Sequence, residues 1–577
     1  MFHFITNKHH KKIVEKKWQI LKADEETVSD LQTSLSVSKT IAKLLVLRGI
    51  KTYSDAKVFF RPELTDLYDP FLMKGMSISI ERIETAISNQ EKVLIYGDYD
   101  VDGITSVSMM YDFLRNYIHE IEFYIPCRYK EGYGISSKSV EYAIQNNFSL
   151  IITLDCGIKA INQVDLLAKK KIDVIICDHH QPSNILPEAY SILNPKQTDC
   201  KYPYKELSGC GVGFKLITAY CIKNTIPFSK ISEYLDLLLL SISADLVHIT
   251  GENRILAFFG LKRINTKPRE GIRALLKYLN LQGKIQTSDI SFGLAPRINA
   301  SGRVSHAKNA VKLLITKDSK TANNLAHIIE ENNNERRSID KEITHEAINK
   351  IDHNKASIIV YNSNWSKGVI GIVASRILEK YYKPTIVFSE KNNILTGSAR
   401  SVSGFNIYEA ISICAELCET FGGHKYAAGL TIKKENFNNF KENFEKQVQQ
   451  RFKNEQQTPT INIDAEIELK NIDSKLIRII RQFAPFGPKN YPPIFLTKNI
   501  KTGIDMKKIG IEKNHLKCSI IKNENQLSAI GFGLSHYYES LENGNYAHIC
   551  YSISENKWKG ILKTQLILKD IKKSSAL

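Results

Sequence analysis

Residues 93–106 read VLIYGDYDVDGITS. Val93 to Tyr96 form an apolar run of strand length, and Gly97 ends it in a turn. Asp98, Asp100 and Asp102 follow, alternating with Tyr99 and Val101, and Gly103 closes the run. In an extended chain, residues two apart share a face, so the spacing predicts three carboxylates pointing one way within ~14 Å. Carboxylates held side by side repel and raise one another's pKa; a divalent cation that prefers oxygen relieves that cost. A solvated acidic turn between a strand and a helix is the plainer alternative.

Working outward, the pattern repeats. Strands are predicted at Val93–Tyr96, Glu122–Pro126, Leu150–Leu154 and Val174–Cys177, with helices at Ser106–Asn116, Lys138–Asn146 and Ala160–Lys171 between them. Such alternation indicates βαβ units and a parallel sheet, whose ligands bind beyond the carboxyl ends of strands. LIITL runs straight into Asp155, and VIIC into Asp178-His179-His180. Three strands thus deliver carboxylate or imidazole to one rim. A lone Asp after a strand is usually a turn former or helix cap. Three such strands, one ending in Asp-His-His, are hard to explain as turns alone. Mixed oxygen and nitrogen donors favour Mn²⁺ or Mg²⁺ over Ca²⁺. Asp245, after the apolar run Leu235–Leu240, is a fourth contributor.

Composition sets the class. The 577 residues are 43% hydrophobic and 24% charged, enough for several cored domains. A net charge of +18 suits nucleic acid. The ten cysteines include no Cys-x-x-Cys; Cys156 and Cys177 read as reduced core residues. No signal core or membrane-length apolar run is evident, so the expected setting is soluble and cytoplasmic. No phosphate-cradling Gly-Lys-Ser/Thr accompanies Gly209-Cys210-Gly211-Val212-Gly213, which disfavours nucleoside-triphosphate hydrolysis.

The rest of the chain divides by pattern. Residues 1–90 read as a mostly helical segment, and 91–255 as the metal-binding parallel-sheet lobe. Residues 256–350 hold a basic turn, PRINASGRV (Pro296–Val304), and then a long connector helix over Ala322–Lys350, where Arg336 and Arg337 read as a solvated face. Residues 351–455 form a second α/β lobe. It contains two glycine-bearing loops suited to phosphate, Gly397–Ser401 and Gly422–Lys425. In residues 460–577, 18 Lys and Arg face 11 Asp and Glu across many short alternating runs, the mark of a small barrel within 456–577. Phe483, Phe486, Tyr491 and Phe495 are candidates either for stacking unpaired bases or for core packing.

In their order, GDYDVDG, LDCG, DHH and SAD resemble the DHH phosphoesterase superfamily. PRINASGR, WSKGVIGIVASR, GSARS and GGHKYAAG narrow the resemblance to its bacterial single-strand-specific 5′→3′ DNA exonucleases, from about residue 40 to the end. The resemblance implies a DHH lobe holding two Mn²⁺ or Mg²⁺ ions, a DHHA1-like second lobe and an oligonucleotide-binding (OB-like) C-terminal barrel. The implied metal ligands are Asp100, Asp102, Asp155, His179 and Asp245, with Asp155 bridging and His180 acting on the scissile phosphate. Smaller members carry a His where this chain has Tyr96, so Asp98 is a candidate substitute ligand. Arg128, Arg303, Ser398 and Arg400 match a pocket for a terminal 5′ phosphate, and His424 a substrate contact. The implied activity is release of 5′-mononucleotides in repair and recombination, with duplex excluded by a narrow cleft. The implied partners are single-stranded DNA, a single-strand-binding protein and a helicase. Two other readings stand beside it: a phosphodiesterase of short oligonucleotides or cyclic dinucleotides, and a non-enzymatic replication scaffold.

Overall fold

A computed structural model of the protein describes residues 15–281, 283–452, 458–542, 545–558 and 561–574. The chain forms two compact units, one of Met1–Ile20 with Arg336–Ile463 and one of Leu21–Glu335 with Asp464–Leu577.

The larger unit holds an all-parallel sheet in the order Ile121–Tyr124, Val93–Gly97, Leu150–Leu154, Asp173–Cys177, Ser191–Leu193. Along Val93–Gly97, Val93 and Ile95 enter one apolar cluster while Leu94 and Tyr96 enter another. Both faces are therefore covered, as a parallel strand requires. Strand order reverses at Val93–Gly97, so the binding crevice of the sheet lies where the aspartate run begins.

The acidic run itself is not an extended segment. Asp100 caps a helix, Val101–Leu114, that already contains Asp102 in its first turn. An Asp N-cap outcompetes the strand-like alternation, because its side chain satisfies amides that the helix leaves open. PRINASGRV is likewise not a turn. It is the helix Ala295–Val304, entered through a π-helical stretch, Ile290–Leu294. Pro296 sits in its first turn, where no amide is needed. Gly302 is required by contact, since a Cβ there would lie 2.8 Å from the Tyr99 carbonyl oxygen.

The same unit contains a closed five-stranded barrel. Phe495–Thr502 pairs with Ala547–Trp558, which pairs with Ile561–Lys573, then Asn525–Gly531, then His515–Lys522 and back to the first strand. Its core also takes Val28, Leu31, Ile41, Leu44 and Leu45 from the first helices of the chain. The described part of the segment 1–90, from residue 15, is mostly helical but shared: Lys17–Ile20 is a strand paired with Thr460–Ile463, and Met76–Ser88 packs with the parallel sheet instead. Phe483 and Phe495 are fully buried, so they are core and not a stacking surface; Tyr491 is 63% exposed.

The smaller unit holds a mixed sheet in the order Thr420–His424, Ala427–Lys433, Ile394–Arg400, Thr385–Lys391, Ile358–Asn362. Gly397–Arg400 and Gly422–His424, predicted as loops, are paired strands. Glycine is tolerated at 397 because Phe388 fills the space; a Cβ would meet its ring at 2.5 Å. The long helix spans Ser319–Asn349. Arg336 is buried against Asp340 at 2.9 Å, with Arg376 on the other carboxylate oxygen at 2.7 Å, so it is not part of a solvated face. Among the described residues no helix is long and apolar enough to cross a membrane, and Cys156 and Cys177 are free and buried.

Candidate metal centre

Four chain segments meet at the carboxyl end of the parallel sheet. In the first, Asp100 Oδ1 accepts from the amides of Asp102 at 3.0 Å and Gly103 at 3.2 Å. Gly103 must lack a side chain, since a Cβ would lie 2.3 Å from the Asp98 carbonyl oxygen. Asp102 is clamped from afar: Gly209 N donates to Oδ2 at 2.7 Å, and Cys210 N and Ser241 Oγ donate to Oδ1 at 2.8 and 2.7 Å. Those amides open the helix Gly209–Lys223, whose terminus favours negative charge. The glycine stretch that fails as a nucleotide signature therefore serves as an anchor for a carboxylate.

The second segment is Asp155, directly after its strand. Its backbone is left-handed, at φ 60°, a conformation that a non-glycine residue holds at a cost typical of functional sites. The third segment is Asp178-His179-His180. Asp178 accepts from the amides of His179, His180 and Ile158, and its Oδ1 lies 2.8 Å from His180 Nδ1. The Tyr133 hydroxyl donates to the Asp155 carbonyl at 3.2 Å and stands 3.2 Å from His180 Nδ1. The fourth is Asp245, which caps the helix Leu235–Ala244 at its carboxyl end.

His179 Nε2 is the hub. It lies 3.1 Å from Asp155 Oδ1, 3.6 Å from Asp245 Oδ2 and 3.8 Å from Asp102 Oδ2. Three ligand groups fit within 4.8 Å: Asp155 with His179 and His180, Asp102 with His179 and Asp245, and Asp98 with Asp100 and Asp155. Asp155 and His179 each belong to two of these. The aspartates of the first motif are therefore split between groups and do not form one face. Tyr96 takes no part: its hydroxyl donates to the Gly134 carbonyl at 2.7 Å, and its ring stacks on Tyr124. His248 lies outside the groups, 3.9 Å from Glu206.

Electrostatics make the cluster unstable by itself. Burial, then the charge of Asp100, pushes Asp98 well above the usual carboxylate range. Burial, then Asp102 and Asp100, does the same to Asp155, and burial with Asp102 raises Asp245 and Asp100. Burial pulls His179 down and keeps its ring neutral, as a ligand requires. Burial also opposes charge at Asp178 and His180, yet their mutual hydrogen bond wins: Asp178 falls to about 2 and His180 is raised.

The donor set passes a direct test. Asp98 Oδ1, Asp155 Oδ1 and both ring nitrogens of His179 are buried without a hydrogen-bond partner. The 3.1 Å approach of His179 to Asp155 lacks hydrogen-bond geometry. Buried polar atoms are nearly always satisfied, and a divalent cation of the Mn²⁺ or Mg²⁺ type would satisfy these.

Of the residues assigned to substrate, Arg128 and Arg303 come to this centre. The Arg128 guanidinium lies 5.0 Å over the Tyr99 ring, and the charges of both arginines act on Tyr99. Arg303 follows Gly302, which packs on the Tyr99 carbonyl, and its own carbonyl accepts from Tyr129. In the smaller unit, Arg400 Nη1 donates to Ser398 Oγ at 3.1 Å. His424 is in register with Ala427, which is in register with Arg400, so all three lie within three adjacent strands.

Family patterns match in the same order along the chain: the N-terminal domain of the DHH family over residues 92–242, the DHHA1 domain over 354–450 and the RecJ OB domain over 463–570. The single-stranded-DNA-specific exonuclease RecJ of Bacillus subtilis is 38% identical over 560 residues, covering 96% of this chain and 70% of the relative. The chain belongs to the RecJ family. RecJ of Haemophilus influenzae is 32% identical over 533 residues, covering 88% and 92% of the two chains. The structure of RecJ from Thermus thermophilus in complex with Mn²⁺ matches with a TM-score of 0.83 at 25% identity, covering 97% of this chain and 80% of that one. A structure of exonuclease RecJ bound to manganese matches at 0.59 and 30% identity, covering 67% and 96%.

Within this RecJ-family centre, sequence reasoning missed Gly209, Cys210, Ser241, Tyr133 and the orienting role of Asp178. Only Asp178 carried a signal, as the first letter of the Asp-His-His motif. Gly209 has a measurable consequence. A Cβ there would lie 2.6 Å from Asp155 Cβ and 2.7 Å from Asp155 Oδ1. Gly209→Ala is therefore expected to weaken Mn²⁺ affinity about 10–100-fold, as loss of a ligand's support does. Calorimetric titration checks this, and an unchanged affinity contradicts it.

Proposed function

We propose that this chain degrades single-stranded DNA from its 5′ end by metal-dependent phosphodiester hydrolysis, releasing 5′-mononucleotides. The observation that carries the reading is the set of buried, unpartnered donors on Asp98, Asp155 and His179. Asp98, Asp100, Asp102, Asp155, His179 and Asp245 would hold two Mn²⁺ or Mg²⁺ ions. When bound, such ions lower the pKa of water to supply hydroxide and stabilise the attacking and departing oxygens.

The chain's own residues do the rest. Asp102 is fixed by helix amides and Ser241 before any ligand arrives, so the site needs little reorganisation. Asp178 holds His180 in one orientation and favours its protonated form, suited to the charge of a phosphodiester at the reacting bond. Arg128 and Arg303, beside the acidic loop, bind the terminal 5′ phosphate through their planar guanidiniums. Ser398, Arg400 and His424 are substrate contacts of the smaller unit. The barrel holds the strand beyond the cut, and its presence favours long strands over dinucleotide substrates. The intact donor set argues against a scaffold. The setting is cytoplasmic DNA repair and recombination, where a helicase and a single-strand-binding protein would present the strand.

The test uses 5′-labelled single strands and blunt duplex with Mn²⁺. Labelled mononucleotide as the first product from single strands, with duplex left largely intact, is the expected result. No cleavage, or equal cleavage of blunt duplex, overturns the proposal.

A further inference from the structure

The helix Ala295–Val304 and the π-helical stretch before it form one continuous element lying against the acidic centre. Ile290, Leu294, Ala295, Ile298 and Ser301 are buried and fix its inner side. Phe292, Pro296, Asn299 and Arg303 recur at i, i+4, i+7 and i+11, one stripe of a helix, and none is buried.

Three contacts orient that stripe along the centre. Ser291 Oγ donates to the Ser243 carbonyl at 2.7 Å, two residues before Asp245. Asn299 Oδ1 accepts from Val101 N at 3.1 Å, between Asp100 and Asp102. Gly302 packs on the Tyr99 carbonyl. The element therefore passes Asp245 at its Phe292 end and the Tyr99 loop at its Arg303 end. Eleven residues separate the two ends, an axial distance of ~16 Å, more than one nucleotide spans.

Phe292 is 83% exposed, and Leu246, next to Asp245 and left-handed at φ 56°, is 61% exposed. Large apolar side chains displayed at the mouth of a charged site are the informative kind of exposure. The π-helical insertion that carries Phe292 is a feature often found at functional sites. The proposed substrate offers the matching surface: unpaired bases, each with an apolar face.

We infer that Phe292 is a stacking platform for a nucleobase of the substrate beyond the second nucleotide from the 5′ end, a position that a dinucleotide does not fill. The inference rests on the exonuclease reading, which places the 5′ phosphate at Arg303. One element then acts as a ruler, with guanidinium at the terminal phosphate, Asn299 bracing the acidic loop and the phenyl ring holding the strand farther in. Exposed Phe292 supports no core, so substituting it leaves the fold intact.

The experiment compares the parent, Phe292→Ala and Phe292→Tyr on a 5′-phosphorylated dinucleotide and on a twelve-nucleotide strand with Mn²⁺. Phe292→Ala is expected to raise KM for the long strand by ~5- to ~100-fold, the range for loss of one stacked base. Its kcat stays at the parental level, its dinucleotide turnover is unchanged, and Phe292→Tyr restores the long-strand KM. Parental KM on the long strand in Phe292→Ala, or equal losses on both substrates, overturns the inference alone. A parent that cuts no single strand overturns the exonuclease reading, and the inference falls with it.

Discussion

Asp155→Ala lowers cleavage of single-stranded DNA by ~10³-fold or more, the expected consequence of losing several kcal/mol of charge stabilisation. Asp155 carries this weight because it belongs to two of the three ligand groups, and its Oδ1 is buried without a partner. The fold survives the change. In the metal-free protein Asp155 is held well above the usual carboxylate range, first by burial and then by Asp102 and Asp100, so it opposes folding near neutral pH. Its pKa is raised in the folded state, so protonation relieves the strain as pH falls below that folded value. Asp155→Asn therefore leaves the metal-free protein at least as stable as the parent while removing activity. Single-turnover cleavage and urea unfolding, run on both variants, check the two halves. Retained cleavage, or a large loss of stability, contradicts this role for Asp155.

Arg254→Met destabilises the protein by about 3–5 kcal/mol, the range for stripping the partner from buried polar groups. The Arg254 guanidinium is buried and donates to the carbonyls of Phe59, Gln482, Phe483, Ala484 and Pro485 at 2.8–3.4 Å. It also lies 3.8 Å from the Phe59 ring centroid, a short cation–π contact. Burial, then the nearby charge of Arg48, pulls its pKa down to about 9, so it remains charged at neutral pH. One side chain from the helix Gly251–Thr266 thus ties an N-terminal helix to the segment that leads into the barrel. Methionine replaces the stem but takes the guanidinium from the carbonyls of Phe59, Gln482 and Ala484, while Asn490 Nδ2 still donates to those of Phe483 and Pro485 at 2.8 Å. Urea unfolding of the full chain measures the loss. A change below ~1 kcal/mol would mean that water or a neighbour replaces the guanidinium at little cost.

What the sequence disclosed follows from range. The strands Val93–Gly97 and Leu150–Leu154 and their trailing aspartates are local patterns, and both the parallel sheet and the ligand candidates were readable from them. The clamp on Asp102 was not, because Gly209 and Cys210 lie more than a hundred residues away and glycine advertises nothing but freedom. PRINASGRV looked like a turn because Asn, Ser and Gly favour turns; tertiary packing against Tyr99 overrides that propensity. Gly397 and Gly422 misled in the same way within strands. Arg336 appeared solvated although its partner Asp340 lies only four residues on; what buries the pair includes Arg376, which binds the other oxygen of Asp340 from another helix and is invisible in the local pattern. Arg254 gave no signal at all, since every hydrogen-bond acceptor it uses is a backbone carbonyl.

The central claim is that the carboxylates and imidazole of distant segments gather two divalent ions. Equilibrium dialysis with Mn²⁺ counts them directly. The account predicts two ions per chain, both weakened or lost in Asp155→Ala. No uptake by the parent, or uptake that Asp155→Ala leaves untouched, contradicts it.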